Sequence, residues 1–202
     1  MSPRAKDPKK AVLKPSQIRV IGGKWRSRKL SFPPIQGLRP TPDRVRETVF
    51  NWLQNTLVGA DCLDLFAGSG ALGIEALSRG ANNCTFIDLA AKSCQSLRQN
   101  LTLLECKDAE VIQADAIAWI KQNTHNKLGI TKAFDIIFLD PPFNQNLCQS
   151  ACQTLIDKNL VGVNSYVYIE TELQLKLSLN WTLYREKTSG QVRYRLYKVA
   201  NK

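Results

Sequence analysis

Leu63-Asp64-Leu65-Phe66-Ala67-Gly68-Ser69-Gly70-Ala71-Leu72-Gly73 is a short apolar run that breaks into three glycines spaced G-x-G-x-x-G and then resumes with a helical pattern. A strand, a tight glycine turn and a helix in that order make the ligand-holding corner of a β-α-β unit. Outward from this corner, short apolar runs alternate with amphipathic segments. Strands are expected near 61–66, 83–88, 109–114, 134–140 and 165–170, and helices near 70–79, 91–104, 116–123 and 146–158. Such alternation winds a parallel sheet. Phe134-Asp-Ile-Ile-Phe-Leu139 is almost continuously apolar, as a central strand covered on both faces should be. Residues 181–187 and 191–199 flank Thr188-Ser189-Gly190 and read as an antiparallel pair. The expected fold is α/β and Rossmann-like, a mostly parallel seven-stranded sheet with a C-terminal antiparallel hairpin.

The 202 residues suit one domain with at most a small appendage. No run of 18 apolar residues is present, and the Lys/Pro-rich start lacks the apolar core of a secretory signal. A cytoplasmic, soluble protein is expected. Its six cysteines (62, 84, 94, 106, 148, 152) contain no Cys-x-x-Cys pair, and the single His125 stands in a polar stretch away from them, so no metal is expected. Cys148 and Cys152 share a helical stripe with Leu147, Ala151, Leu155 and Ile156, the pattern of a buried face.

The formal charge of +11 is uneven: residues 1–50 hold 13 Lys/Arg against 3 Asp/Glu, and the remainder is nearly balanced. Residues 1–17 read as a disordered basic tail. Residues 18–40 read as a basic β-hairpin arm, in which β-branched and aromatic residues surround a Gly22-Gly23 turn. Lys24, Arg26, Arg28 and Lys29 beside Trp25 then give a cationic surface with one ring available for stacking, the pattern that favours RNA. Residues 41–202 are expected to form the main domain, opening on a helix for which Thr41 can cap and Pro42 suits the first turn. Its apolar positions Val45, Val49, Trp52, Leu53 and Leu57 are expected to lie across the sheet edge beside a cofactor.

The glycine corner, with Asp88 twenty positions after Gly68, matches the general dinucleotide fingerprint: the glycines allow close backbone approach, and the acid can accept bonds from both ribose hydroxyls. Asp64 tilts the choice. A carboxylate beside the loop opposes a pyrophosphate but suits a ligand carrying an ammonium and a sulfonium, which favours S-adenosyl-L-methionine over a nicotinamide dinucleotide. Asp64, Phe66, Gly68, Gly70, Gly73 and Asp88 are the candidate cofactor residues. Asp115 can accept from the adenine amine or cap a helix; both roles are open at this stage.

Asp140-Pro141-Pro142-Phe143 follows the central strand, and two prolines stiffen the turn while removing two N-H donors. An exocyclic aryl amine is a poor nucleophile because its lone pair is delocalised into the base. Hydrogen bonds from its two N-H groups to Asp140 and to the Pro141 carbonyl would draw the nitrogen toward a tetrahedral shape and aim the lone pair. Phe143 would stack on the base. Asp140 or water takes the released proton.

Gly22-Gly-Lys-Trp-Arg-Ser-Arg-Lys-Leu30, Gly37-Leu-Arg-Pro-Thr41, Asp43-Arg-Val-Arg-Glu-Thr-Val-Phe-Asn-Trp-Leu53, the glycine corner, Glu75-Ala-Leu-Ser-Arg79, Asp140-Pro-Pro-Phe143 and Gly190-Gln-Val-x-Tyr-Arg-Leu-Tyr197 together resemble the bacterial 16S ribosomal RNA guanine-N2 methyltransferase D family. The likeness covers residues 18–198. It implies a class I S-adenosylmethionine-dependent methyltransferase fold and N2-methylation of one guanine, of the guanine 966 type, in 16S rRNA or the small ribosomal subunit. It also implies that the basic hairpin meets RNA. By the same resemblance Arg39, Thr41 and Glu47 match the helix-start pattern and by position are expected to help order the methionine end of the cofactor, with Arg39 also among the expected RNA-binding residues. The tail before Gln17 is longer than is usual in that family. A monomer without metal or membrane contact is expected.

Two other enzymes use similar turns. Adenine-N6 DNA methyltransferases normally carry Tyr at the last place and need extra length to read a groove, and glutamine-N5 protein methyltransferases favour Asn at position 140. A non-catalytic RNA-binding module would have no use for Asp140, Phe143 and an intact glycine loop.

Overall fold

The computed structural model describes residues 16–33, 41–122, 133–143 and 147–200. The tail before residue 16, Arg39 and His125 lie outside the described residues. The chain opens with an antiparallel pair, β1 (Ser16–Arg19) and β2 (Lys29–Phe32), followed by helix α1 (Asp43–Leu53). Then come β3 (Asp61–Asp64), α2 (Ala71–Ser78), β4 (Asn83–Asp88), α3 (Ala91–Leu103), β5 (Ala109–Gln113), α4 (Ala116–Gln122), β6 (Phe134–Leu139), α5 (Leu147–Asp157) and β7 (Val161–Glu172). Strands β8 (Thr182–Ser189) and β9 (Val192–Lys198) close the chain.

Seven strands form one sheet in the order β5-β4-β3-β6-β7-β9-β8. The first five are mutually parallel, and β9 inserts antiparallel between β7 and β8. The Rossmann-like expectation, including the C-terminal antiparallel hairpin, is met. β6 is apolar along its length because successive side chains enter two different cores. Ile136 and Phe138 join Val49, Phe50 and Leu53 of α1, Ile74 and Leu77 of α2, and Leu97 of α3. Ile137 and Leu139 join Trp119 and Ile120 of α4 and Ala151, Cys152 and Leu155 of α5. Each such fully buried side chain contributes roughly 1.5–3 kcal/mol. Cys148 and Cys152 are buried thiols on the inner face of α5.

Helix α1 covers the middle of the sheet rather than its edge: Phe50 packs against Phe138 of β6 at 5.9 Å between ring centroids, and Trp52 stacks on Tyr194 of β9. Thr41 does not cap it. The helix starts after Pro42 without a side-chain cap, and the Thr41 hydroxyl turns toward Asp140 instead.

The arm differs most from its expected form. Its ladder pairs Ser16–Arg19 with Lys29–Phe32, so the connection spans residues 20–28 and includes a short 3-10 turn at Gly23–Trp25 rather than a tight Gly22-Gly23 bend. The reason is tertiary. Gly22 and Gly23 are pressed against the C-terminal end of α2, where a Cβ on Gly23 would stand 1.8 Å from the Ser78 carbonyl oxygen. Ile18, Val20, Leu30 and Phe32 belong to the same core as α1, α2 and α3, so the arm is part of that layer and begins two residues before position 18.

β7 is longer than its expected 165–170. Its first residues pair with Phe134 and then bulge, with Asn164 at φ +73 and the Ser165 hydroxyl bonding both Gly162 N-H and the Phe134 carbonyl. At the outer edge, all eight residues of β8 are exposed, and Tyr184 is an extra residue in its ladder with β9.

Candidate active site

Parallel strands place their C-terminal ends, and the loops that follow them, along one edge of the sheet. β3 and β6 are neighbours, and Leu65 N-H bonds the Phe138 carbonyl at 3.1 Å, so the glycine loop and the Asp-Pro-Pro-Phe turn leave the sheet side by side. Both carboxylates at these strand ends, Asp64 and Asp140, follow the alternation that points Cys62 and Phe138 toward α1.

Asp64 is 2 % exposed and accepts the backbone N-H of Gly73 at 3.0 Å, tying the far side of the loop to the strand. Burial pushes its carboxyl up to about 7, opposed by the Gly73 N-H and reinforced by the Asp88 charge. Gly70 ends the loop at φ +74, and a Cβ on Gly73 would meet the Phe86 ring at 2.2 Å, so α2 can lie this close to β4 only with glycine there. Phe66 is half-buried against the α4/α5 core. Asp88, at the end of β4, accepts Gly68 N-H at 2.7 Å with Oδ2 and Ala90 N-H at 2.8 Å with Oδ1. Asp115 accepts Ala118 N-H at 2.8 Å, the cap geometry, from an exposed position at the start of α4.

Asp140 is half-buried, Pro141 buried, and Phe143 40 % exposed with its ring presented at the surface. Thr41, itself buried, sets its hydroxyl 3.5 Å from Asp140 Oδ2. Loss of solvent, then the Glu170 and Asp64 charges, hold the Asp140 carboxyl well above the usual range, while Thr41 opposes them. Glu47 is exposed on α1.

The basic loop is divided. Lys24, Arg26 and Lys29 are exposed; Arg28 is exposed but donates to the Leu103 carbonyl at the end of α3 at 3.0 Å. Trp25 is half-buried: its backbone N-H bonds Ser78 Oγ, its ring leans on the core, and Lys24 Nζ lies 4.5 Å from the ring centroid.

Glu170 escaped the sequence reading, and Glu75 entered it only within a family motif, without a role. Glu170, 5 % exposed on β7, receives the Tyr168 hydroxyl at 2.7 Å next to Asp140. Glu75, fully buried in α2, accepts Ile21 and Gly22 N-H at 2.8 Å each and pairs with Arg46 and Arg79. A lone acid in an otherwise apolar helix is the signal that marks Glu75, whereas β7 carries Glu172 as a second acid and gives Glu170 no such local mark. Among the described residues, no group of three or more His, Cys, Asp or Glu could hold a metal, and no helix is long and apolar enough to cross a membrane.

Comparison with known proteins agrees with this geometry. A family profile described as conserved hypothetical protein 95 matches residues 18–198, a span that includes the arm, the glycine loop and the Asp-Pro-Pro-Phe turn. The ribosomal RNA small subunit methyltransferase D of Escherichia coli K12 is 46% identical over 186 residues, 90% of this chain and 89% of that protein. Its Haemophilus influenzae counterpart is 45% identical over 185 residues, 90% of this chain and 93% of the relative. The solved structure of Escherichia coli yhhF superposes with a TM-score of 0.82 at 44% identity, covering 93% of this chain and all of that one, and carries the class I methyltransferase fold. Likeness of this extent, in sequence and in backbone alike, makes the chain a member of the ribosomal RNA small subunit methyltransferase D family.

Proposed function

We propose that the protein transfers a methyl group from S-adenosyl-L-methionine to the exocyclic N2 amine of one guanine in 16S rRNA of the small ribosomal subunit, in the cytoplasm. The observation that carries this reading is the Asp140-Pro141 corner with its exposed Phe143, set directly beside the glycine loop on one sheet edge.

The residues present fit the cofactor. The loop 66–73 offers backbone at glycines, where Gly70 carries no Cβ that would meet Leu97 at 2.4 Å. Each Asp88 oxygen bonds one loop N-H and keeps a further lone pair for a ribose hydroxyl. In this reading Asp64 braces the loop, Phe66, Gly68, Gly70 and Gly73 line it, Asp115 serves the adenine amine while capping α4, and Thr41 borders the methionine end. S-adenosylmethionine supplies an electrophilic methyl on a positively charged sulfur.

Asp140 and the Pro141 carbonyl accept the two N-H groups of the amine, and Phe143 stacks on the base. The lone pair is thereby aimed along the line of transfer, and such alignment contributes on the order of 7–11 kcal/mol. A paired base cannot reach this turn, so the guanine is unpaired or extruded. Lys24, Arg26, Arg28, Lys29 and Arg39 hold the phosphate backbone, with Trp25 bracing the loop that presents them. The arm at 18–40 and the catalytic unit at 41–202 act as one body in this scheme.

The test is to incubate the protein with methyl-labelled cofactor and either naked 16S rRNA or small subunits from cells lacking the enzyme, then map the label. A single labelled guanine bearing N2-methyl is expected; label on adenine N6 or on protein would replace this reading.

A further inference from the structure

Asp140 has an acidic neighbour that the reaction scheme leaves unused. Leu139 of β6 lies opposite Ile169 of β7, so Asp140 and Glu170 occupy the next rung, on the face shared by Phe138 and Tyr168 under α1. Thr41 borders the pair: its hydroxyl donates to Asp140 Oδ2 at 3.5 Å. That hydroxyl has one proton to give. Tyr168 supplies a second donor, to Glu170 Oε1 at 2.7 Å, in a position only 5 % exposed. Glu170 thus holds a buried hydroxyl donor, which suits a carboxylate, whereas Asp140 stands at the turn where the amine would sit.

We propose that Glu170 is a positioning residue for methyl transfer: a carboxylate fixed by Tyr168 behind Asp140, whose negative charge makes Asp140 the group that takes the proton from the methylated amine. This rests on the assignment of the amine to Asp140. In the step, the N2 lone pair forms the new N-C bond as the C-S bond breaks with its electrons going to sulfur. The nitrogen, now positively charged, passes an N-H proton to the Asp140 carboxylate, which becomes a neutral acid. Before transfer, the amine N-H donated to Asp140 favours its ionised form; afterwards the charge of Glu170 favours the protonated form.

The electrostatic surroundings agree. Burial raises both carboxyls, the Glu170 charge adds to the rise at Asp140, and the Tyr168 and Thr41 hydroxyls restrain the rise at Glu170. The other groups facing the pair are Asp64 of β3, Tyr168 of β7 and Tyr194 of β9. From α5, Cys148 Sγ donates to the Glu170 carbonyl, and from α1, Arg46 holds the Thr41 carbonyl at 3.2 Å. No cation touches either carboxyl among the described residues.

The experiment uses the full chain labelled with 13C at aspartate carboxyls, with Asp140→Asn to assign the resonance. In the free protein, Glu170→Gln is expected to lower the titration midpoint of Asp140 by about one pH unit or more. The acid limb of the single-turnover rate moves the same way, while cofactor affinity stays within about threefold of wild type. Tyr168→Phe, which weakens the hold on the Glu170 charge, gives a smaller shift of the same sign and serves if Glu170→Gln does not fold. An unchanged Asp140 midpoint in a folded variant overturns the proposal. Wild-type transfer by Asp140→Asn would instead overturn the assignment of the amine, and the two failures are separately visible.

Discussion

Gly22 donates its backbone N-H to Oε1 of Glu75 at 2.8 Å, joining the arm to the helix that opens at the glycine loop. Oε2 of the same carboxylate takes Ile21 N-H and lies 3.4 Å from the guanidinium of Arg46, which also holds the carbonyls of Arg19 and Thr41. One buried acid therefore connects the basic hairpin, α1, α2 and the segment entering the site. Glu75→Ala should cost about 1–3 kcal/mol for each of the Ile21 and Gly22 N-H groups it leaves without an acceptor, while Arg46 keeps Asp43 as its remaining carboxylate partner. Urea unfolding gives the loss, and faster hydrogen exchange at Ile21 and Gly22 shows where it acts.

Asp140→Ala is expected to abolish methyl transfer, by a factor of at least about 10³, with cofactor affinity changed less than about threefold. Single-turnover assay and calorimetric titration measure the two separately. Turnover at the wild-type rate would remove Asp140 from the chemistry.

Arg26 and Lys29 are exposed, whereas Arg28 is engaged with Leu103. The double reversal Arg26→Glu with Lys29→Glu should weaken RNA binding and lower the slope of log affinity against log salt by about 1–2. Fluorescence titration across salt concentrations reads this. A slope equal to wild type would confine the hairpin to packing.

Asp64 titrates near 7 in the folded chain against 3.8 as its ordinary value. The folded state then binds more protons than the unfolded one between these values, so this group's contribution to stability is full below pH about 4 and is lost as pH rises through about 7. Asp64→Asn can still accept the Gly73 N-H and does not titrate. Its melting temperature relative to wild type should climb steadily from pH 4 to pH 8, as read by calorimetry on free protein. A flat difference would show that Asp64 is ionised throughout.

Much of this molecule was legible in advance because its signals are local. Phe134 to Leu139 announced a doubly covered strand, and the glycines after Asp64 announced a sharp turn into a helix; apart from the start of β7, the boundaries in the parallel region fell within about two residues. What stayed hidden depends on contacts distant in sequence. Gly22-Gly23 read as a tight turn because nothing nearby shows that α2 will press on it from 53 or more residues away. Thr41 read as a cap, since Pro42 and Asp43 follow it, yet its partner is 99 residues distant. The start of β7 was masked by Gly162 and Asn164, which serve a bulge. In the site, Asp140 was found by its prolines, whereas Glu170 required knowing that β6 and β7 are neighbours.

The outermost strand, with every side chain of β8 open to solvent, would ordinarily invite another chain to extend the sheet. Tyr184 interrupts that invitation. As the surplus residue it throws the strand out of regular pleat, its ring tucked edge-on to Tyr166 and covered by the Arg185 guanidinium. Arg185 and Lys187 stud the same rim with positive charge, so a second copy approaching edge to edge would meet a broken hydrogen-bonding register and its own cations. A basic protein built to visit a crowded polyanion thus carries its own guard against clumping with itself.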